Sequence, residues 1–158
     1  MAEVSRRAGV GMATLYRNFA DRRELLEAVY IDEVDAVVAA ASTVGGATDG
    51  ARLDAWLREF FAFITSKRRV AAGLLEHTDR SDAVFGGSRA RVTAAGLPLF
   101  HAAQAAGQVR DDLNFDQVID MVHAIAKVPG DRRTVEPMLQ TVLDGLGTRP
   151  HPRESGAS

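Results

Sequence analysis

Cysteine is absent from the 158 residues, which excludes both a disulfide framework and a thiolate metal site. The absence fits a reducing compartment. Long apolar runs are missing too: no segment approaches the roughly 18 unbroken apolar residues of a membrane-spanning helix. The start, Met1-Ala2-Glu3, lacks the basic-then-apolar pattern of a secretory signal. The expectation is a soluble, cytoplasmic protein with no membrane partner. His77, His101, His123 and His151 fall at no metal-ligand spacing. There is no Ser-His-Asp order, no phosphate-binding glycine loop and no carboxylate pair in an acid–base setting, and Asp111-Asp112 reads as a solvated loop. No enzyme, metal or cofactor chemistry is expected.

What is present is a chain that is 46% hydrophobic, enough for a sizeable core, and helical in pattern nearly throughout. Strand-type alternation is sustained nowhere. A short helix is expected over residues 2–8, stopped by Gly9, and another over 12–18. Asp21 reads as the cap of a long third helix reaching residue 42, with Glu24 as its capping-box partner. Gly45-Gly46 ends it. The next helix carries Leu53, Trp56, Leu57, Phe60 and Ile64 and is expected to close at the cations Lys67, Arg68 and Arg69. A shorter element over 70–77 and a loop over 79–88, interrupted by Gly86-Gly87, should follow. Residues 89–106 read as a helix kinked at Gly96 and Pro98 and ended by Gly107. Asn114 with Gln117 starts a helix whose face is Phe115, Val118, Ile119, Val122, Ile125 and Ala126. After Pro129-Gly130-Asp131, a last helix carries Val135, Met138, Leu139, Val142, Leu143 and Leu146. The polar tail 148–158 is expected to be disordered.

The segment most suggestive of function is Val-Ser-Arg-Arg-Ala-Gly-Val-Gly-Met-Ala-Thr-Leu-Tyr-Arg-Asn-Phe-Ala-Asp-Arg-Arg-Glu-Leu-Leu, residues 4–26. It reads as two short helices joined by a tight glycine turn, then a capped long helix. That is the geometry a helix-turn-helix needs, with the first helix bracing the second in the major groove. Val4, Val10, Leu15 and Phe19 supply an apolar inner side. Residues 1–23 carry Arg6, Arg7, Arg17, Arg22 and Arg23 against Glu3 and Asp21, a net +3, while the remaining residues carry −5. A basic end on an acidic body is the footprint of local phosphate contact.

The run Arg-Arg-Ala-Gly-Val-Gly-Met-Ala-Thr-Leu-Tyr-Arg-Asn-Phe, followed by a charged cap and Leu-Leu, resembles the DNA-binding signature of the TetR family. The resemblance covers about 25 residues and rests on the co-occurrence of the turn glycine, Thr-Leu-Tyr-x-x-Phe and a basic residue just past the cap. It implies an all-α fold: a partial helix-turn-helix at 1–30, then a helical-bundle domain at 31–147 for ligand binding and dimerisation. It also implies a transcriptional regulator acting on double-stranded operator DNA and released by a small-molecule effector. Thr14 and Tyr16 are then phosphate or groove contacts. Met12, Ala13 and Arg17 are candidates for base-edge or backbone contact, and Arg7 and Arg22 for phosphate.

Two departures stand out. The family commonly has Ser or Thr where Gly11 stands, so the recognition helix is more weakly capped; a Gly cap costs about a few tenths of a kcal/mol relative to Ser. The family's domain also begins with a further helix ahead of Ala2. Its absence would leave Val4, Leu15 and Phe19 short of a packing partner, and such burial is worth about 1.5–3 kcal/mol per side chain. A second reading therefore stays open, a helical ligand-binding or dimerisation module that no longer grips DNA. By spacing, Trp56 and Phe60 belong to the core. Phe61, Phe63, Phe100 and His101 are weaker candidates for an effector pocket, opened by the bend at Pro98. The wide apolar faces of the last two helices suit a homodimer through a four-helix bundle.

Overall fold

A computed structural model describes Arg6, Gly9 and residues 11–75 and 82–148. Six helices make up the described fold: α1 (Met12–Asn18), α2 (Arg22–Thr43), α3 (Asp49–Leu75), α4 (Asp82–Ala105), α5 (Phe115–Lys127) and α6 (Arg132–Leu146). Among the described residues the sole extended pairing is an isolated bridge between Val109 and Gly147. The all-α expectation holds. The helix expected over 2–8 lies outside the described residues apart from Arg6, as does nearly all of the tail. Gly9, at φ +65°, adopts the left-handed conformation that suits the turn expected there.

Local chemistry sets most helix starts. The Asp21 side chain accepts from Glu24 N–H at 2.9 Å. The Glu24 carboxylate does not return to Asp21, as a capping box would require; it accepts from Ala20 N–H, one residue further out. Thr48 starts α3, its hydroxyl accepting from Ala51 N–H at 3.1 Å. Asn114 and Gln117 form the full reciprocal box, both bonds at 2.9 Å. Asp131 caps α6 through Thr134 N–H at 3.1 Å.

Two expected boundaries are absent. α3 runs through Lys67, Arg68 and Arg69 to Leu75 as one helix. Favourable charges near a helix end do not themselves end a helix, and these residues, with Ala71 and Ala72, are good helix formers. α4 likewise begins at Asp82 and carries Gly86-Gly87 inside it, where the sequence suggested a loop over 79–88; residues 79–81 lie outside the described residues. A glycine costs a helix only about 1 kcal/mol, which tertiary packing can outweigh. The same helix passes Pro98 and stops at Gly107, φ +66°, where Gln108 N–H reaches back to Ala103 O at 2.9 Å.

The core lies between α2, α3 and α4, floored by α5 and α6. Trp56 on α3 is fully buried at its centre. Its Nε1–H donates to Val37 O at 3.1 Å, satisfying the one polar atom the ring carries inward. Phe60 stacks on the indole at 5.7 Å, and Phe115 approaches at 5.9 Å. The whole expected face of α5 is buried, as are Val135, Leu139, Leu143 and Leu146 of α6. Met138 is not part of the core, and Val142 only borders it.

Candidate nucleic-acid interface

α1 is short and turned outward. Thr14 N–H closes its first turn on Gly11 O at 2.9 Å. Asn18 ends it by donating from Nδ2 to Thr14 O at 2.8 Å. Met12, Ala13, Thr14, Tyr16 and Arg17 are all exposed, Tyr16 by 50% despite its large ring, whereas Phe19 is half-buried. The Arg17 guanidinium lies back along the helix, donating from Nε to Ala13 O at 3.2 Å and from Nη2 to the Thr14 hydroxyl at 3.1 Å. Five of the seven DNA-contact candidates thus share one short helix. Arg7 falls outside the described residues; for Arg22 the backbone alone is described, as the first residue of α2.

α2 continues from this exposed end into the core, where Tyr30, Val34 and Val37 are buried. Three contacts fix its register. Val37 O holds the Trp56 indole, Glu33 accepts from the Ser66 hydroxyl at 2.7 Å, and Asp35 pairs with Arg91 of α4. A short exposed helix leading into a long helix seated against a helical body is an arrangement that suits a DNA-binding regulator. Residues 1–29 match the model for bacterial regulatory proteins of the tetR family, and residues 48–148 match that for the C-terminal domain of SbtR-like transcriptional regulators.

The chain belongs to the TetR family of transcriptional regulators.

A solved TetR transcriptional regulator from Streptomyces coelicolor is 32% identical over 93% of this chain and 86% of its own, with a TM-score of 0.78. A tetR-family regulatory protein from Rhodococcus, at 14% identity, shares the fold with a TM-score of 0.60 over 94% of this chain and 86% of its own. No protein of curated function matches. Among the described residues no helix is long and apolar enough to cross a membrane.

Among the described residues, the four pocket candidates have different surroundings. Phe61 borders a groove of about 580 Å³ between α3 and the α5–α6 turn, with Ala62, Ala126, Val135 and Leu139 among its walls. Phe63 packs in the core against Tyr30 at 6.2 Å and Phe60 at 6.5 Å. Phe100 and His101 border a separate hollow of about 310 Å³ beside Leu113 and Phe115. Gly96, on α4, makes room for Trp56 and Phe115.

Arg58, which sequence reasoning passed over, ties α3 to α6. It donates to Asp54 at 2.8 Å and to Glu136 at 3.1 Å, and also to Gln140. The hydrogen bond that Arg58 donates to the Asp54 carboxylate is the main cause that raises the Arg58 pKa above its ordinary value. The i,i+4 spacing of Asp54 and Arg58 was the available signal; the partners on α6 were not readable locally. Outward, Met121 and Ala124 on α5 with Val128 just past its end, and Met138, Thr141, Val142 and Gly145 on α6, form two uncharged stripes at helical spacing. Met138 is 41% exposed.

Proposed function

We propose that this TetR-family regulator is a cytoplasmic, homodimeric repressor of double-stranded operator DNA, released by a small-molecule effector. The observation that carries the reading is the outward face of α1. Met12, Ala13, Thr14, Tyr16 and Arg17 are exposed together, at the basic end of an otherwise acidic chain. An exposed tyrosine and arginine on one short helix suit groove and phosphate contact better than they suit a solvated surface. The region at 1–30 then reads DNA, and 31–147 holds effector and partner.

The uncharged stripes of α5 and α6 supply the dimer contact, since two such helices from each protomer make a four-helix bundle. Two α1 helices then enter successive major grooves about one helical turn apart. The effector acts by favouring a spacing of those helices that no longer fits, a coupling free energy between two sites. Footprinting on DNA upstream of the regulator's own gene tests this. Symmetric protection of a palindromic site is expected. Protection lacking two-fold symmetry, or none, contradicts it.

A further inference from the structure

One carboxylate on the inner side of α2 is left incomplete. Glu33 follows Tyr30 by one turn and adjoins Val34, on the stripe of α2 that faces the core. Its Oε1 accepts from the Ser66 hydroxyl at 2.7 Å. Its Oε2 is buried and accepts no hydrogen bond from the described residues. No ion pair among the described residues includes Glu33, and Arg91, the cation that α4 brings to α2, is taken by Asp35. Ser66 is a neutral donor, so among the described residues the Glu33 carboxylate has one hydroxyl as its hydrogen-bond partner. Buried charges are ordinarily paired, and each exception calls for a physical reason.

The surroundings narrow the reason. Along α2 and α3, contacts pair Val37 with Trp56, Tyr30 with Phe63 and Glu33 with Ser66, so the two helices run antiparallel. Tyr30, Glu33, Phe63 and Ser66 therefore interleave within about one turn of the α2–α3 seam. A carboxylate oxygen that lacks a donor, beside a buried aromatic pair, is the chemistry that recognises an organic ammonium ion. The carboxylate takes the N–H, and the rings suit the cation and its alkyl part.

We propose that Glu33 is the polar anchor of the effector site and that the effector is a protonated organic amine. This rests on the effector-responsive reading above and supplies its ligand class. A ligand bound there engages α2 directly, and α2 is the helix that continues from α1. Glu33 was legible in the sequence as an acidic residue on an apolar stripe, but nothing in the sequence indicated that its partner would be a single hydroxyl.

The test uses the full chain and three probes of like size: n-hexylammonium, hexyltrimethylammonium (which has no N–H) and hexanol. Hexylammonium is expected to raise the wild-type Tm by at least about 2 °C, with smaller shifts from the other two. Glu33→Gln is expected to abolish the hexylammonium shift without lowering its own Tm, since the Gln side-chain oxygen can still accept from the Ser66 hydroxyl. Ser66→Ala, which keeps the carboxylate, is expected to keep the shift. A wild-type shift that is absent, or that persists in Glu33→Gln, overturns the proposal, as does loss in Ser66→Ala alone. Operator binding is measured separately without amine. Its failure would count against the repressor reading, while the Tm comparison decides the role of Glu33 by itself.

Discussion

The indole of Trp56 occupies the space that a side chain at Gly96 would need: a β-carbon there would lie 2.3 Å from Cη2 of the ring and 2.7 Å from Cζ of Phe115. Both neighbours are buried aromatic rings, which cannot swing aside. Gly96→Ala is therefore expected to destabilise by about 1–3 kcal/mol, overpacking outweighing the helix propensity that alanine adds. Gly87 lies in the same helix, exposed, with nothing within 4 Å of the corresponding position. Gly87→Ala is expected to stabilise by about 0.5–1 kcal/mol. Urea unfolding of the two variants should give midpoints on opposite sides of wild type.

Tyr16 and Arg17 are exposed, so removing them should spare the fold. Tyr16→Ala is expected to weaken operator binding by about 1–3 kcal/mol with an unchanged Tm. Arg17→Ala is expected to weaken binding more evenly across sequences, lowering the salt slope by about one per protomer. Anisotropy titrations across a salt series measure both. A fall in Tm matching the loss of binding would assign these residues to the fold.

Gly11 stands ahead of α1, and a β-carbon there meets nothing closer than the Thr14 hydroxyl at 4.0 Å. There is room for a serine cap. Gly11→Ser is expected to add about a few tenths of a kcal/mol to α1 and to raise operator affinity slightly. Amide hydrogen exchange across Met12–Asn18 should slow. Faster exchange would mean that the added side chain disturbs the turn.

Asp112 and Asp120 are held below their ordinary value of 3.8, chiefly by hydrogen bonds from Arg110 and Arg89. A depressed folded-state pKa contributes stability that is present above the unfolded value and is lost as pH falls through the folded one. Asp120→Asn should melt slightly below wild type near neutrality. Both pairs are exposed at the surface, so the gap is small. It should close on acidification from about pH 6 to about pH 2. A gap that widens with acid would contradict the assignment.

Much of this architecture was legible because it is written in local chemistry. Asn114 with Gln117, and the periodic face from Phe115 to Ala126, are interactions within one or two turns, and both are present. The DNA-binding signature is likewise a contiguous run. What was not legible depends on distant partners. Lys67–Arg69 and Gly86-Gly87 carry the chemistry of helix ends, yet α3 and α4 run through them. The close approach of Gly96 to Trp56, forty positions away, could not be read from local spacing. Two residues turn a helix by about 200°, so Phe61 borders a groove while Phe63 packs against Tyr30. Glu24 followed the capping pattern in sequence and then reached one residue past it.

The central claim is that the exposed face of α1 reads a specific DNA sequence. The most direct measurement is an equilibrium titration of the full chain against its footprinted upstream site and a scrambled duplex of equal length, at physiological salt. The account predicts binding to the site at least about 10³-fold tighter than to the scrambled duplex, with most of that preference lost in Tyr16→Ala. Equal affinity for the two duplexes, or a preference that survives Tyr16→Ala unchanged, would contradict it.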